Sequence, residues 1–247
     1  MWGLRTAIVV MAMASFSALP ARANASWSDK LPVPGTVNYV EGQASIGMES
    51  LNAKSAGAVA LQPGQTLTTQ QGNVEILLTP DVFLRVGPNS AVKMISPSLS
   101  RTEIAVQRGD AEVEVDHLFQ QNRLLVRDAG TTARLEKKGV YDFDAHQPAV
   151  RVLKGEALLH LGDEQVKIKG GHEVALNASE LNSQKFNKDT FEAKDGLYRW
   201  GKLRNEYLRE DEMQQYPYYA WSPWGPGWGW GPVWGWGPAW GWGGWWW

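Results

Sequence analysis

Hydrophobic and polar residues alternate at every second position over most of the chain between residues 36 and 176. Within residues 111–116, one alanine and two valines fall on one side of an extended chain, and three acids fall on the other. This period of two is typical of β-strands that bury one face. Turn signals rich in Gly, Pro and Asn separate the runs, and no helical period lies between them. The pattern predicts an all-β, many-stranded antiparallel domain over residues 36–180, either a sandwich or a solenoid-like stack.

A helical period replaces the strand period near residue 187. Asp189 fits an N-cap position, since Glu192 follows three residues later. An apolar set then recurs at spacings of three and four and consists of Leu197, Trp200, Leu203 and Tyr207. We predict one amphipathic helix over residues 189–215, interrupted at Gly196, whose apolar side packs on the β domain. The alternative is a helix that binds a partner.

The last 27 residues contain eleven of the fourteen tryptophans and no charged residue. From Trp228 they follow a six-residue repeat that begins Trp-Gly-Trp-Gly. Frequent Gly and Pro oppose a helix, and nothing in the segment supplies a complementary core. We therefore predict that residues 216–247 form a disordered, low-complexity tail rich in Trp, Gly and Pro.

The tail tryptophans are the predicted interaction residues of this protein. In an extended chain, the even-numbered ones project from one side, and the repeats place there Trp228, Trp230, Trp234, Trp236, Trp240 and Trp242. Such an array suits sugar rings, the membrane interface or another aromatic surface. The alternative is a sticky extension that has no specific partner.

The N-terminus carries a secretory signal pattern. Arg5 precedes an apolar run over residues 7–19, and small-x-small cleavage patterns end at Ala23 and Ala25. Residues 1–25 are therefore predicted to be a signal peptide, followed by a short lead over residues 26–35. The expected location is the periplasm or the cell surface. The chain has no cysteine, so its core must be stable without disulfides.

The sequence contains no recognisable catalytic motif. It has no nucleophile elbow, phosphate-binding loop or dinucleotide fingerprint, and its four histidines do not form a metal-binding pair. The stripe Glu112, Glu114 and Asp116 is interpreted as an exposed polar face rather than a cation site, and Asp144 with His146 as a solvated turn. We therefore predict no enzyme activity, cofactor or metal. A net charge of −2 argues against nucleic acid.

Apolar strand positions and turn glycines carry a resemblance to a known family. In the first half these are Gly64, Leu67, Thr69, Gly72, Val74, Ile76, Leu78, Leu84, Val86 and residues 89–92. In the second half they are Ile104, Val106, Gly109, Val126, Thr132, Val140, Phe143, Val150, Val152, Gly155, Ala157 and Leu159. The region from about Leu61 to Leu176 resembles the FecR domain, the extracytoplasmic sensor module of iron-dicitrate-type regulators. The resemblance implies the same β fold and specifies no ligand.

This chain departs from the FecR regulators in two ways. Those proteins place a cytoplasmic anti-sigma segment and a membrane span before the domain, whereas here we expect the domain to follow a signal peptide. The usual G-T-x-F element is also altered, to the sequence of residues 139–143. The expected function is an exported, non-enzymatic FecR-like binding or scaffolding module at the bacterial cell envelope, with envelope protein, glycan or membrane contacts through the tail. The alternatives are a component of FecR-type cell-surface signalling and a glycan-binding protein that uses the tail.

Overall fold

The computed structural model describes residues 33–178 and 180–215, and strands make up most of this part. The first seven strands are β1 (Thr36–Ile46), β2 (Glu49–Leu51), β3 (Thr66–Thr79), β4 (Val82–Val86), β5 (Ala91–Ser98), β6 (Arg101–Arg108) and β7 (Asp110–Val115). The next eight are β8 (Arg123–Asp128), β9 (Thr131–Leu135), β10 (Gly139–Asp144), β11 (Ala149–Lys154), β12 (Glu156–Leu161), β13 (Glu164–Lys169), β14 (His172–Ala175) and β15 (Ser183–Lys185). The predicted all-β class is confirmed.

All fifteen strands belong to one continuous sheet. Its order is β13-β12-β9-β8-β6-β5-β3-β4-β7-β10-β11-β14-β15, with β1 paired to β2 and β3. The two ends of this order approach each other, since β13 contacts β14 and β15. The sheet is therefore nearly closed on itself. It is also mixed, because β6 pairs with β8 in parallel whereas the other pairings in the described chain are antiparallel.

The inward face of the sheet holds the hydrophobic core. Alternate positions of β4 and β7 point inward and are almost completely buried, namely Val82, Leu84, Val86, Ala111, Val113 and Val115. The largest inward aromatic side chains come from β10 and are Tyr141 and Phe143. This arrangement follows from the period of two, because successive side chains of a strand point to opposite faces.

Two helices follow the last strand, α1 (Lys188–Lys194) and α2 (Gly196–Gln215). Asn187 caps α1 by accepting a hydrogen bond from the Thr190 amide at 2.9 Å, so the N-cap predicted at Asp189 is two residues too late. The predicted interruption is confirmed and falls at Asp195, whose carboxylate accepts from the Tyr198 amide. Among the described helices, none is both long and apolar enough to cross a membrane.

The packed side of α2 differs from the predicted apolar side. Leu203 and Tyr207 are 48% and 52% exposed, so they face away from the sheet. Leu197 and Gly201 are buried, and Arg204 is half-buried. The helix does pack on the β domain, as predicted. Leu197 and Trp200 of the predicted apolar set contact the sheet, but the small and polar residues beside them contact it as well. The reason lies in the surface beneath it.

Candidate functional site: a charged row beneath the C-terminal helices

Six charged side chains form one row across the outer face of the sheet. Strand pairing places them directly opposite one another on β3, β4, β7, β10, β11 and β14, and in that order they are Glu75, Arg85, Glu112, Asp142, Arg151 and Glu173. We call this set the charged row. Directly opposed side chains on neighbouring strands lie close enough to interact. The row therefore forms a continuous polar stripe across six strands.

Arg85 is the centre of the more deeply buried half of the row. Its Nε lies 3.0 Å from Glu75 Oε2, and its Nη1 lies 2.8 Å from Glu112 Oε1 and 2.5 Å from Glu114 Oε2. The Arg85 side chain is only 1% exposed. Burial disfavours its charge, but the carboxylates of Glu112, Glu114 and Glu75 outweigh this effect and raise its pKa above the usual value. Arg85 is thus held as a cation in an acidic pocket.

Arg151 organises the other half in the same way. Its Nη1 lies 2.9 Å from Asp142 Oδ2 and 3.4 Å from Asp144 Oδ2, and its Nε lies 3.1 Å from Glu173 Oε2. Phe191 of α1 covers this group, with the guanidinium carbon 5.5 Å from the ring centroid. This distance falls within the range of a cation–π contact.

Glu112 and Asp142 meet where the two halves join. They are directly paired across β7 and β10, so two carboxylates face each other without a cation between them. Burial raises the pKa of Glu112 to about 7, although Arg85 partly opposes the shift. Burial also raises the pKa of Asp142 well above its usual value, with Arg151 opposing. Each arginine is shared among three acids, so neither fully compensates the cost of burying these two charges.

Helix α2 covers the row through hydrogen bonds from two side chains. Asn205 accepts from Arg85 Nη2 at 2.6 Å and donates to Glu114 Oε2 at 2.7 Å. Arg204 donates to Glu75 Oε1 at 3.4 Å, and its guanidinium carbon lies 3.9 Å from the centroid of the Tyr39 ring. These contacts join residues more than 90 positions apart in the sequence. The outer face of the sheet is therefore an anchor for α2.

Gly201 lets the helix approach the row closely. A Cβ atom added at this position would lie 2.7 Å from Glu112 Oε1 and 2.8 Å from Arg85 Nη1. A side chain there would displace the buried ion pair. The local need for close approach explains why a glycine, which weakens a helix interior, occupies this position.

Trp200 adds a further contact at the edge of the helix. Its indole Nε1 donates to Glu41 Oε2 at 2.6 Å, and its ring lies 6.1 Å from that of Tyr39. Tyr39 is the β1 residue paired with Glu75. The aromatic pair therefore extends the anchor from the charged row to the neighbouring strand β1.

Two of the three acids predicted to face solvent, Glu112 and Glu114, are instead covered. Glu112 is 2% exposed, and Glu114 binds both Arg85 and Asn205. The prediction of an exposed polar face was wrong for Glu112 and Glu114, because α2, distant in sequence, lies over them. It was right for Asp116, which is exposed. The solvated turn predicted at Asp144 and His146 is confirmed, since Asp144 Oδ1 accepts from the amides of His146 and Gln147 at 2.9 and 2.8 Å.

Two further acids at one end of the sheet have raised pKa values. Burial and the nearby Asp144 raise the pKa of Asp110 to about 6, and the same two causes act on Asp128, also to about 6. Neither carboxylate oxygen of Asp128 has a hydrogen-bond partner among the described residues. No group of three His, Asp or Glu side chains within the described ranges is arranged to hold a metal ion.

The predicted interaction residues of the tail, Trp228, Trp230, Trp234, Trp236, Trp240 and Trp242, lie outside the described residues. So do the predicted signal peptide and most of the lead segment. Sequence reasoning did not identify Arg85, Arg151, Arg204 or Asn205. The one available signal was a charged residue at the outward position of several successive strands, and this signal does not reveal which helix covers them.

The chain was compared with known families, curated proteins and solved structures. No family model matches it, and no curated protein matches it. Two solved structures, each described as a putative anti-sigma factor from Parabacteroides distasonis ATCC 8503 and determined at 2.50 Å and 1.65 Å, are similar at 12% identity and a TM-score of 0.44. The matches cover 53% and 52% of this chain. The chain spans 64% and 63% of the length of those chains.

Proposed function

We propose that this protein is an exported, non-enzymatic, FecR-like scaffold of the bacterial cell envelope. In this proposal the β domain holds helix α2, and the Trp-rich tail that follows α2 attaches the protein to an envelope component. The anchoring of α2 by the charged row is the observation that carries the proposal. A helix fixed through Arg85, Glu114 and Asn205 gives the segment after it a defined point of departure from the domain.

The chemistry of the row supports a structural role rather than a catalytic one. Its arginines are bonded to carboxylates, and α1 and α2 lie over it. Groups used in catalysis must reach a substrate, whereas Arg85 and Glu112 are almost completely buried. The aromatic composition of the tail supports the attachment role, because indole rings favour interfaces that are apolar on one side and wet on the other.

Deletion of residues 221–247 tests this function. We expect the full chain to sediment with cell-envelope fractions and the truncated chain to remain in the soluble fraction, because eleven indoles are lost together. A finer variant replaces the even-numbered tryptophans of the repeats with Ser. Its matched control replaces Val233 and Ala239 with Ser in the same repeats and should partition like the full chain.

Three measurements on the full-length and truncated chains distinguish the alternatives. Binding to purified polysaccharide that disappears with the tail would favour the glycan-binding function. Equal partitioning of full-length and truncated chains would contradict the attachment role of the tail. Retention of Met1 in exported protein, measured by intact mass, would contradict processing at Ala23 or Ala25.

A further inference from the structure

An apolar cleft lies at the end of the sheet where β4 begins. The apolar residues that line it are Pro80, Leu99 and Phe119, and its volume is about 320 Å³. Leu99 is 54% exposed and Phe119 is 48% exposed, although both are large hydrophobic side chains. Exposed apolar clefts of this kind mark surfaces that bind a partner.

The cleft is formed before any partner binds. The Arg123 amide donates to the Ser100 carbonyl at 3.1 Å, which ties the β5–β6 turn to the start of β8. The Asn122 amide donates to the Phe119 carbonyl at 2.9 Å, and the His117 ring packs edge-on against Phe119 at 4.5 Å. The two exposed hydrophobic residues are therefore held in place by their surroundings.

The wall of the cleft also contains an acceptor without a donor. Asn122 Nδ2 donates to Thr79 Oγ1 at 3.5 Å, which turns its Oδ1 away from that neighbour. Asn122 Oδ1 is buried and has no hydrogen-bond partner among the described residues. Asn122 itself lines the cleft, and the terminal torsion of an asparagine is soft. Apolar walls with one free acceptor match an indole, which is a flat apolar ring with a single N–H donor.

Helix α2 leads toward this cleft. Its first turn lies at the far end of β4, where Leu197 approaches Gly87. Its later residues Leu208 and Arg209 line a cleft with Asp81, which directly follows Pro80. The chain continues from Gln215 through 32 further residues that contain eleven tryptophans. Nine extended residues, the separation of Gln215 and Trp224, span up to about 30 Å.

We propose that a tryptophan of the chain's own tail docks in the cleft formed by Pro80, Leu99, Phe119 and Asn122. The docked indole packs on Leu99 and Phe119 and donates its N–H to Asn122 Oδ1. One docked ring leaves the other tail tryptophans free. The docking is therefore independent of attachment to the envelope and can be tested in purified protein.

Because the chain has no cysteine, a single introduced thiol can be labelled without ambiguity. We would attach a nitroxide, which quenches indole fluorescence at short range, to Gln121→Cys at the cleft. The matched control carries the same label on Gln147→Cys, an exposed residue at the opposite end of the sheet. We expect stronger quenching of tryptophan fluorescence from position 121 than from position 147.

Variants of the cleft identify the contact. Leu99→Ser with Phe119→Ser should abolish the extra quenching, whereas Met48→Ser, at a fully exposed hydrophobic residue outside the cleft, should leave it unchanged. Asn122→Ala should reduce the extra quenching, because it removes the acceptor for the indole N–H and leaves the apolar walls in place. Circular dichroism confirms that each variant is folded. Equal quenching from both labels, or quenching unaffected by the cleft variants, would overturn the proposal. Quenching that disappears on dilution would assign the cleft to the tail of a second copy and would also overturn it.

Discussion

Arg85 and Arg151 occupy equivalent places in the charged row, and each contacts three carboxylates. They differ in how completely the neighbouring helix shields them from solvent. The Arg85 side chain is 1% exposed beneath α2, whereas that of Arg151 is 16% exposed beside Phe191 of the short helix α1. The same arrangement of charges is therefore placed in two dielectric environments. Attraction between charges grows as water is excluded, and so does the cost of leaving one unpaired.

The comparison shows that burial decides the consequence of losing an arginine. At Arg151, water can reach Asp144 and Glu173 if their partner is removed, because these side chains are 16% and 23% exposed. At Arg85, Glu112 would stay buried without a cation, and Glu75 would stay buried with only the 3.4 Å contact to Arg204. We therefore expect the half of the row around Arg85 to control the stability of the domain and the docking of α2. Three substitutions test this expectation.

Arg85→Met should have the largest effect. It leaves buried carboxylates without their cation and removes the hydrogen bond to Asn205, so we expect a loss of roughly 3–5 kcal/mol in the free energy of unfolding. The melting temperature should fall by roughly 10 °C. Thermal unfolding followed by circular dichroism measures this. Arg134→Met is the control, because Arg134 forms a similar ion pair with Glu136 but is 49% exposed, and the change there should stay below about 0.5 kcal/mol.

Glu112→Gln should change how stability depends on pH. The pKa of Glu112 is raised to about 7 from 4.5, so the folded state holds this proton more tightly than the unfolded state. The contribution of Glu112 to stability therefore falls as pH rises from 4.5 to about 7. The neutral variant should be more stable than the wild type at pH 8, by on the order of 1–3 kcal/mol, and equal to it near pH 4.5. Urea unfolding at both pH values measures the difference in the free energy of unfolding between the variant and the wild type. The same difference at both pH values would contradict a raised pKa for Glu112.

Arg151→Met should have the smallest effect of the three. Asp142 loses its partner, but burial already raises its pKa well above the usual value, and the other two carboxylates can be hydrated. We expect a loss of about 1–2 kcal/mol in the free energy of unfolding. If this variant proves as destabilising as Arg85→Met, cover by α2 is not what distinguishes the two halves of the row.

Much of the β fold could be predicted from the sequence, whereas the candidate site could not. The alternation through residues 111–116 correctly identified β7 and its inward residues. The same pattern placed Glu112 on the opposite side and suggested that it faces solvent. An alternating pattern distinguishes the two sides of a strand but does not show what covers the polar side.

The helix illustrates the same limit. Its existence and its interruption followed from local spacing and from Gly196, although the N-cap is Asn187 and not the predicted Asp189. Its orientation did not, because Leu203 and Tyr207 face outward while Gly201 and Asn205 face the sheet. Hydrophobic periodicity predicts packing against an apolar surface, but here the receiving surface is a row of ion pairs. The fit of α2 to this surface depends on Arg85, which lies 120 residues before its partner Asn205 in the sequence.

The sequence by itself determined the strand content, the position of the turns and the break between α1 and α2, because these depend on backbone preferences and on neighbours within a few residues. Only the tertiary structure decided that one sheet curls until β13 meets β14 and β15. It alone also decided that six charged residues align into one row and that α2 excludes water from Arg85. These outcomes depend on strand register and on contacts between distant residues. The same contacts set the dielectric environment around each charge, and that environment determines how much the charge contributes to stability.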